Sequence, residues 1–161
     1  MKKGFTLIEL LSVIVILGLI ALVSISSVLS SIKKGKNDLY NSQLKLIESG
    51  AISFVSEYIT KKDTSFSESG TKIKQLINSH TPSDNPVDVK LTELQANGNV
   101  EYNVSNPLCN GKDKYFSPVN TVIRIRYDGY DFTYEITYKN EDGTYDKEKL
   151  ETSCTSEVIR S

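Results

Sequence analysis

Apolar and polar positions divide this chain at about residue 32. Residues 5–32 are nearly all apolar or small, and 10–32 is a run of 23 residues without a charge. Beyond it polar residues dominate, and the apolar ones return with a period. Tyr40, Leu44, Ile47, Ala51, Phe54 and Tyr58 follow one another at spacings of 4, 3, 4, 3 and 4, which places them in one stripe of a helix. Val55 and Ile59 widen the stripe, while Lys45, Ser49, Ser56 and Lys61 lie opposite. The two patterns join into one predicted helix over 5–62, apolar all round in its first half and amphipathic in its second. Gly35 and Gly50 each cost about 1 kcal/mol against alanine inside a helix, so the rod is expected to bend there.

After residue 62 the punctuation changes. Residues 63–70 are polar and turn-rich, and Ile73, Leu76 and Ile77 predict a short helix over 72–79. Prolines and turn formers make 81–86 a loop, and 92–96 reads as a helical turn ended by Asn97-Gly98. A strand is expected at 101–104 and a turn at 141–144. The clearest β signal is 121–127 and 130–138 flanking Asp128-Gly129, the pair favoured for a two-residue hairpin. That turn sets Tyr127 against Tyr130, Ile125 against Phe132, Ile123 against Tyr134 and Thr121 against Ile136. These residues share one face, the face expected to pack on the helix. On the other face Arg126 is expected opposite Asp131, and Arg124 near Thr133 and Glu135. The expected fold class is α+β: a long N-terminal helix laid against a small antiparallel sheet.

Composition narrows the function classes. At 161 residues there is room for one ordinary domain and an appendage. The formal charge is −1, or about −3 without Lys2 and Lys3, so nothing attracts nucleic acid or anionic lipid in general. The uncharged run would reach about 35 Å as a helix, enough for a hydrocarbon core of roughly 30 Å, and Lys33, Lys34 and Lys36 close it. A plain membrane anchor or a cleaved secretory signal explains most of this. Glu9 fits neither, because a carboxylate in an apolar insertion segment costs about 2.5–3.5 kcal/mol at mid-membrane and less near an end. Ala21-Leu22-Val23 is a poor signal-cleavage site, and the two cysteines, Cys109 and Cys154, are too far along the chain for lipid attachment here. The residues alone leave an anchor and a specialised segment both open.

Lys3-Gly4-Phe5-Thr6-Leu7-Ile8-Glu9 resembles the prepilin peptidase site of type IV pilins and pseudopilins. The resemblance implies a cut between Gly4 and Phe5 by a membrane aspartyl peptidase, then N-methylation of Phe5. Glycine suits the cut because a residue without Cβ admits the enzyme close to the backbone. Glu9 matches the glutamate that neutralises the terminal ammonium of a neighbouring subunit during assembly. Opposite charges in an apolar filament core stabilise each other, whereas either alone is penalised. The lysines of the leader stay cytoplasmic by the positive-inside tendency. The resemblance is strong over about the first 30 residues and extends to the rest only in layout. Gly18 sits where the family often carries a helix-loosening glycine, but Ser26 stands where many members have proline. Ser24, Ser27 and Ser31 share a helical face that could admit a close neighbour, or are ordinary small residues of a membrane helix.

On this resemblance the chain divides into a leader, 1–4; a membrane or filament-core helix, 5–32; an amphipathic continuation, 33–62; and a head, 63–161, containing the hairpin 121–138. An even cysteine count in an exported domain favours a Cys109–Cys154 disulfide, two separate thiols being the alternative. Such a bond would close 44 residues, restrict the unfolded chain by roughly 4 kcal/mol, and resemble the disulfide-bounded C-terminal region of many pilins. The implied partners are the peptidase and methylase, membrane lipid before assembly, the assembly machinery, and other copies of the chain with minor pilins. The implied location is the cell membrane as a single-pass protein, then a surface filament (a fimbrium). A filament-forming pilin is the favoured reading. A pseudopilin of a type II secretion or DNA-uptake machine is the alternative within that class, and a signal-anchored surface binding module that never polymerises is a distant one.

The remaining candidate chemistry is weak. His80 is the single histidine and sits in a Ser/Thr/Pro loop, which argues against a histidine-based triad or a two-histidine metal site. Arg124 and Arg126 could meet phosphate, but Asp131 and Glu135 are placed to pair with them. Glu141, Asp142 and Asp146 lack calcium-loop spacing. Asn103-Val104-Ser105 fits a glycosylation sequon, a three-residue pattern of low specificity. No residues for catalysis, cofactor or metal are expected.

Overall fold

The computed structural model describes residues 4–60, 67–79, 81–109, 111 and 114–156, the side chains of Val23, Ser24 and Ser26 excepted. Lys2 and Lys3 of the leader, the side chains of Ser24 and Ser26, the expected helix end at Lys61 and Lys62, and His80 lie outside the described residues. The elements in chain order are α1 (Leu7–Thr60), α2 (Glu68–Ser79), β1 (Val87–Lys90), α3 (Leu91–Ala96), β2 (Tyr115–Phe116), β3 (Thr121–Tyr127), β4 (Phe132–Lys139), β5 (Tyr145–Asp146), α4 (Lys147–Thr152) and β6 (Cys154–Thr155). This is the expected α+β composition, a 54-residue helix followed by a small antiparallel sheet. The chain divides into two compact units, Met1–Asp38 and Leu39–Ser161.

In the first unit the helix is apolar around its circumference. Its described large hydrophobic side chains between Phe5 and Ile32 are exposed, for example 49% at Val13 and 87% at Phe5. The chain itself therefore does not cover them.

In the second unit the predicted stripe is the floor of the core. Tyr40, Ile47, Ala51, Phe54, Val55 and Tyr58 are buried and Leu44 is partly buried. Ile59, expected to widen the stripe, is 52% exposed, since each step along a helix turns the side chain by about 100° and carries it past the packed face. Lys45, Ser49 and Ser56 are exposed as expected.

The four-stranded sheet has the order β1-β3-β4-β5, with every pairing antiparallel. Val87, Val89, Ile123 and Ile125 join the α1 stripe in one cluster with Leu91, Leu94, Phe116 and Leu150. The hairpin register differs from the expected one by two residues. Tyr127 pairs with Phe132, Ile125 with Tyr134, Ile123 with Ile136 and Thr121 with Tyr138. Asp128 explains the longer loop. Its Oδ1 accepts from the N–H groups of Tyr130 (2.9 Å) and Asp131 (2.7 Å), and its own N–H donates to the Asp131 carbonyl at 3.2 Å. Four residues are held in the turn where two were expected. A shift of two preserves the faces, so Ile123 and Ile125 still point into the core.

Three other expectations are corrected. α2 begins at Glu68, inside the stretch read as turn. The Glu68–Lys72 pair (2.6 Å) supports its first turn, Ser67 Oγ accepts from Gly70 N at 3.1 Å, and Gly70 lies against the Tyr58 ring, where a side chain would collide. Strand β1 at Val87–Lys90 was not foreseen. No strand forms at 101–104; a turn occupies 102–103, and pairing is deferred to a bridge between Ser105 and Tyr115. The helical turn α3 ends at Asn97-Gly98 as read, with Gly98 at φ +77°. The 141–144 turn connects β4 to β5, closed by Asn140 N to Thr144 O at 2.9 Å.

Candidate processing and assembly site

The residues that resemble a prepilin cleavage site are laid out on either side of a helix start. Gly4, Phe5 and Thr6 are outside the helix, and Leu7 is its first residue. Thr6 is the N-cap. Its carbonyl accepts the first helical bond, from Leu10 N at 3.3 Å. Its Oγ1 accepts from Glu9 N at 3.4 Å, and in return Glu9 Oε2 accepts from Thr6 N at 2.9 Å and from Thr6 Oγ1 at 2.8 Å. This reciprocal arrangement is a capping box, a Thr and a Glu three residues apart serving each other's otherwise unpaired N–H groups. Thr6 was not singled out from sequence, although the Thr-x-x-Glu spacing was there to be read. Ser12 Oγ donates to the Glu9 carbonyl at 2.8 Å. A side chain added at Gly4 would meet nothing within 4 Å, so this fold does not itself require glycine there.

In the head, Cys109 and Cys154 are joined, their Cα atoms 6.1 Å apart. Cys154 lies in β6 and pairs with Phe116 of β2, so the bond sits beside a two-stranded sheet. Asn106, which sequence reasoning passed over, reinforces it. Buried, it donates through Nδ2 to the carbonyls of Leu150 (3.3 Å) and Glu151 (3.2 Å), and its Oδ1 accepts from Leu108 N at 3.1 Å.

The outer face of the large sheet carries the charges. Arg124 stands opposite Glu135 in the ladder, and Arg126 opposite Thr133 rather than Asp131. Asp88 of β1, absent from the expected pairing, accepts from Lys139 Nζ at 2.9 Å and from the Tyr145 hydroxyl, and lies 3.5 Å from Arg124 Nε. The Arg124 guanidinium sits 3.9 Å over the Tyr145 ring. Lys147 Nζ approaches Glu135 at 2.8 Å. Its hydrogen bond holds the Glu135 carboxyl below its usual range, and donation to Asp88 holds the Lys139 ammonium above its own. Cations matched in this way to carboxylates and a ring form a tie between strands, and offer little to a phosphate. Among the described residues, no three His, Cys, Asp or Glu side chains gather as metal ligands would.

With this geometry in view, comparison with known families decides the N-terminus. Residues 1–31 match the family described as the prokaryotic N-terminal methylation motif. The chain carries a type IV prepilin-type processing motif. That motif, with an apolar helix long enough to cross a membrane, marks the chain as a type IV pilin- or pseudopilin-like precursor with a membrane-anchoring segment. The prepilin-type match ends at residue 31, before the head begins. No curated protein and no solved structure matches the chain.

Proposed function

We propose that the chain is a structural subunit of a type IV pilin-like filament, trimmed between Gly4 and Phe5, methylated on Phe5 and polymerised at the cell surface. In this reading 1–4 is the leader, 5–32 the membrane and then filament-core helix, and 33–62 its amphipathic continuation into the head, 63–161. The observation that carries it is the prepilin-type motif placed directly before a helix whose apolar residues the chain leaves uncovered. A helix apolar all round needs an apolar surrounding. Lipid supplies it to the precursor, and neighbouring helices supply it in a filament. Glu9 is the one carboxylate in that segment. Its role is to meet the Phe5 ammonium that cutting creates on an adjacent copy, since two opposite charges in an apolar core are tolerable only as a pair. The chain performs no catalysis in this reading; the chemistry is done on it.

The test is intact-mass measurement of the mature protein from cells that have a prepilin peptidase. Met1 to Gly4 should be missing and Phe5 should carry an N-methyl group. Glu9→Gln keeps an acceptor for the cap and loses the charge, so that variant should reach the membrane yet be depleted from surface filaments. A mature terminus near Ala21, an intact Met1, or Glu9→Gln filaments in normal number would each refute the corresponding step.

A further inference from the structure

The capping box does more than start a helix, because the hydrogen bonds it uses compete with those that would enclose the scissile bond. If the helix ran back by two residues, the N–H of Ile8 would go to the carbonyl of Gly4, and the N–H of Glu9 to the carbonyl of Phe5. In the structure the N–H of Glu9 is taken by Thr6 Oγ1 at 3.4 Å, and the first helical acceptor is the Thr6 carbonyl. Glu9 Oε2 meanwhile binds Thr6 N and Thr6 Oγ1, which secures the box from the other side. The Gly4 carbonyl is therefore kept outside the helix, next to an 87% exposed Phe5.

We propose that Thr6 is a positioning residue for the cut: its side chain sets the helix start so that the Gly4–Phe5 peptide is presented as non-helical chain. This rests on the processing reading above. Hydrolysis adds water across the Gly4–Phe5 amide, leaving a carboxylate on Gly4 and an ammonium on Phe5. The carbonyl oxygen must be free to accept the enzyme's donors as charge develops on it, and a helical bond from Ile8 would occupy it. Thr6 touches none of the reacting atoms and acts only through the backbone state of Gly4 and Phe5.

The test uses the full-length chain in membranes with a prepilin peptidase, following the cleaved fraction over time by mass. Thr6→Ala, which removes the cap and favours helix, should slow cleavage about fivefold or more, the factor that one N-cap contributes to a helix boundary. Thr6→Ser, which retains the cap, should be cut at close to the unsubstituted rate. The Phe5 Cα chemical shift of the uncut chain in detergent micelles should move to helical values in Thr6→Ala and stay non-helical in Thr6→Ser. Thr6→Ala cut at the full rate, Thr6→Ser as slow as Thr6→Ala, or slow cleavage with a non-helical Phe5 would each overturn the role given to Thr6. An unsubstituted chain left uncut would instead sink the processing reading itself.

Discussion

A methyl group added at Gly50 would point at Val100 Cγ2 and lie 2.8 Å from the carbonyl oxygen of Asn99. Val100 is buried and the oxygen is backbone, so neither can give way cheaply. Gly50→Ala gains about 1 kcal/mol of helix propensity but incurs an overpacking cost of about 1–3 kcal/mol, a net loss of up to about 2 kcal/mol. Gly35→Ala meets nothing within 4 Å and should be neutral or stabilising. Urea midpoints of the two variants in detergent check the pair, and equal midpoints would refute the packing argument. From sequence both glycines read alike, as weak points in a helix, because propensity belongs to the residue whereas collision belongs to a neighbour 50 positions away. Thr6 shows a nearer failure. Its spacing to Glu9 is legible, but one carboxylate carries two signals, a charge awaiting a partner and the acceptor of a local cap. Glu9 can serve both, since the cap engages Oε2.

At the scale of elements, what could be read was whatever a single period decides. The stripe from Tyr40 to Tyr58 and the alternation of β3 came through because burial on one face imposes spacing. The hairpin loop length did not, because Asp-Gly favours a two-residue turn while the Asp128 carboxylate can hold two further N–H groups, as it does here. β1 was not foreseen because its alternation, Val87-Asp88-Val89-Lys90, lasts only four residues after a proline, and its strand state is imposed by pairing Val87 with Ile125 and Val89 with Ile123. This division between local and imposed order bears on the disulfide. β6 is two residues long and, among the described residues, pairs only with β2, so it depends on its surroundings. Cys154→Ser should lower stability by about 2–5 kcal/mol. By hydrogen exchange, lost protection should concentrate in Tyr115–Phe116, Lys147–Thr152 and Cys154–Thr155. Thr121–Tyr127 should keep its protection, since Ile123 and Ile125 pack in a core cluster that contains neither cysteine. Equal loss in β3 would mean that the bond holds the whole head and not its last elements.

The whole chain joins two solutions to the problem of apolar surface. The second unit buries its own, with Phe54, Ile47, Ile123 and Ile125 inside one cluster. The first unit leaves its hydrophobic residues uncovered, and in the function proposed above lipid or other copies take up that task. That contrast was the most legible feature of the sequence, because it depends on composition over tens of residues and not on any single contact. What covers the helix was less legible, and only the short motif over Gly4 to Glu9 pointed to an answer. If the division is physical, it can be cut. A fragment of residues 36–161 keeps Tyr40 and the rest of the buried stripe and omits the uncovered run. It should be soluble without detergent, sediment as a monomer at micromolar concentration, and unfold in one cooperative transition with Cys109 and Cys154 recovered as one disulfide peptide. The full chain should require detergent or membrane at the same concentration. Detergent-dependent solubility of the fragment would show that the head exposes apolar surface of its own, and a non-cooperative transition would show that its core needs the first 35 residues. Free thiols at Cys109 and Cys154 in protein taken from the cell surface would remove the bond from the head, leaving Asn106 and its two carbonyl partners to hold α4 against the segment that precedes β2.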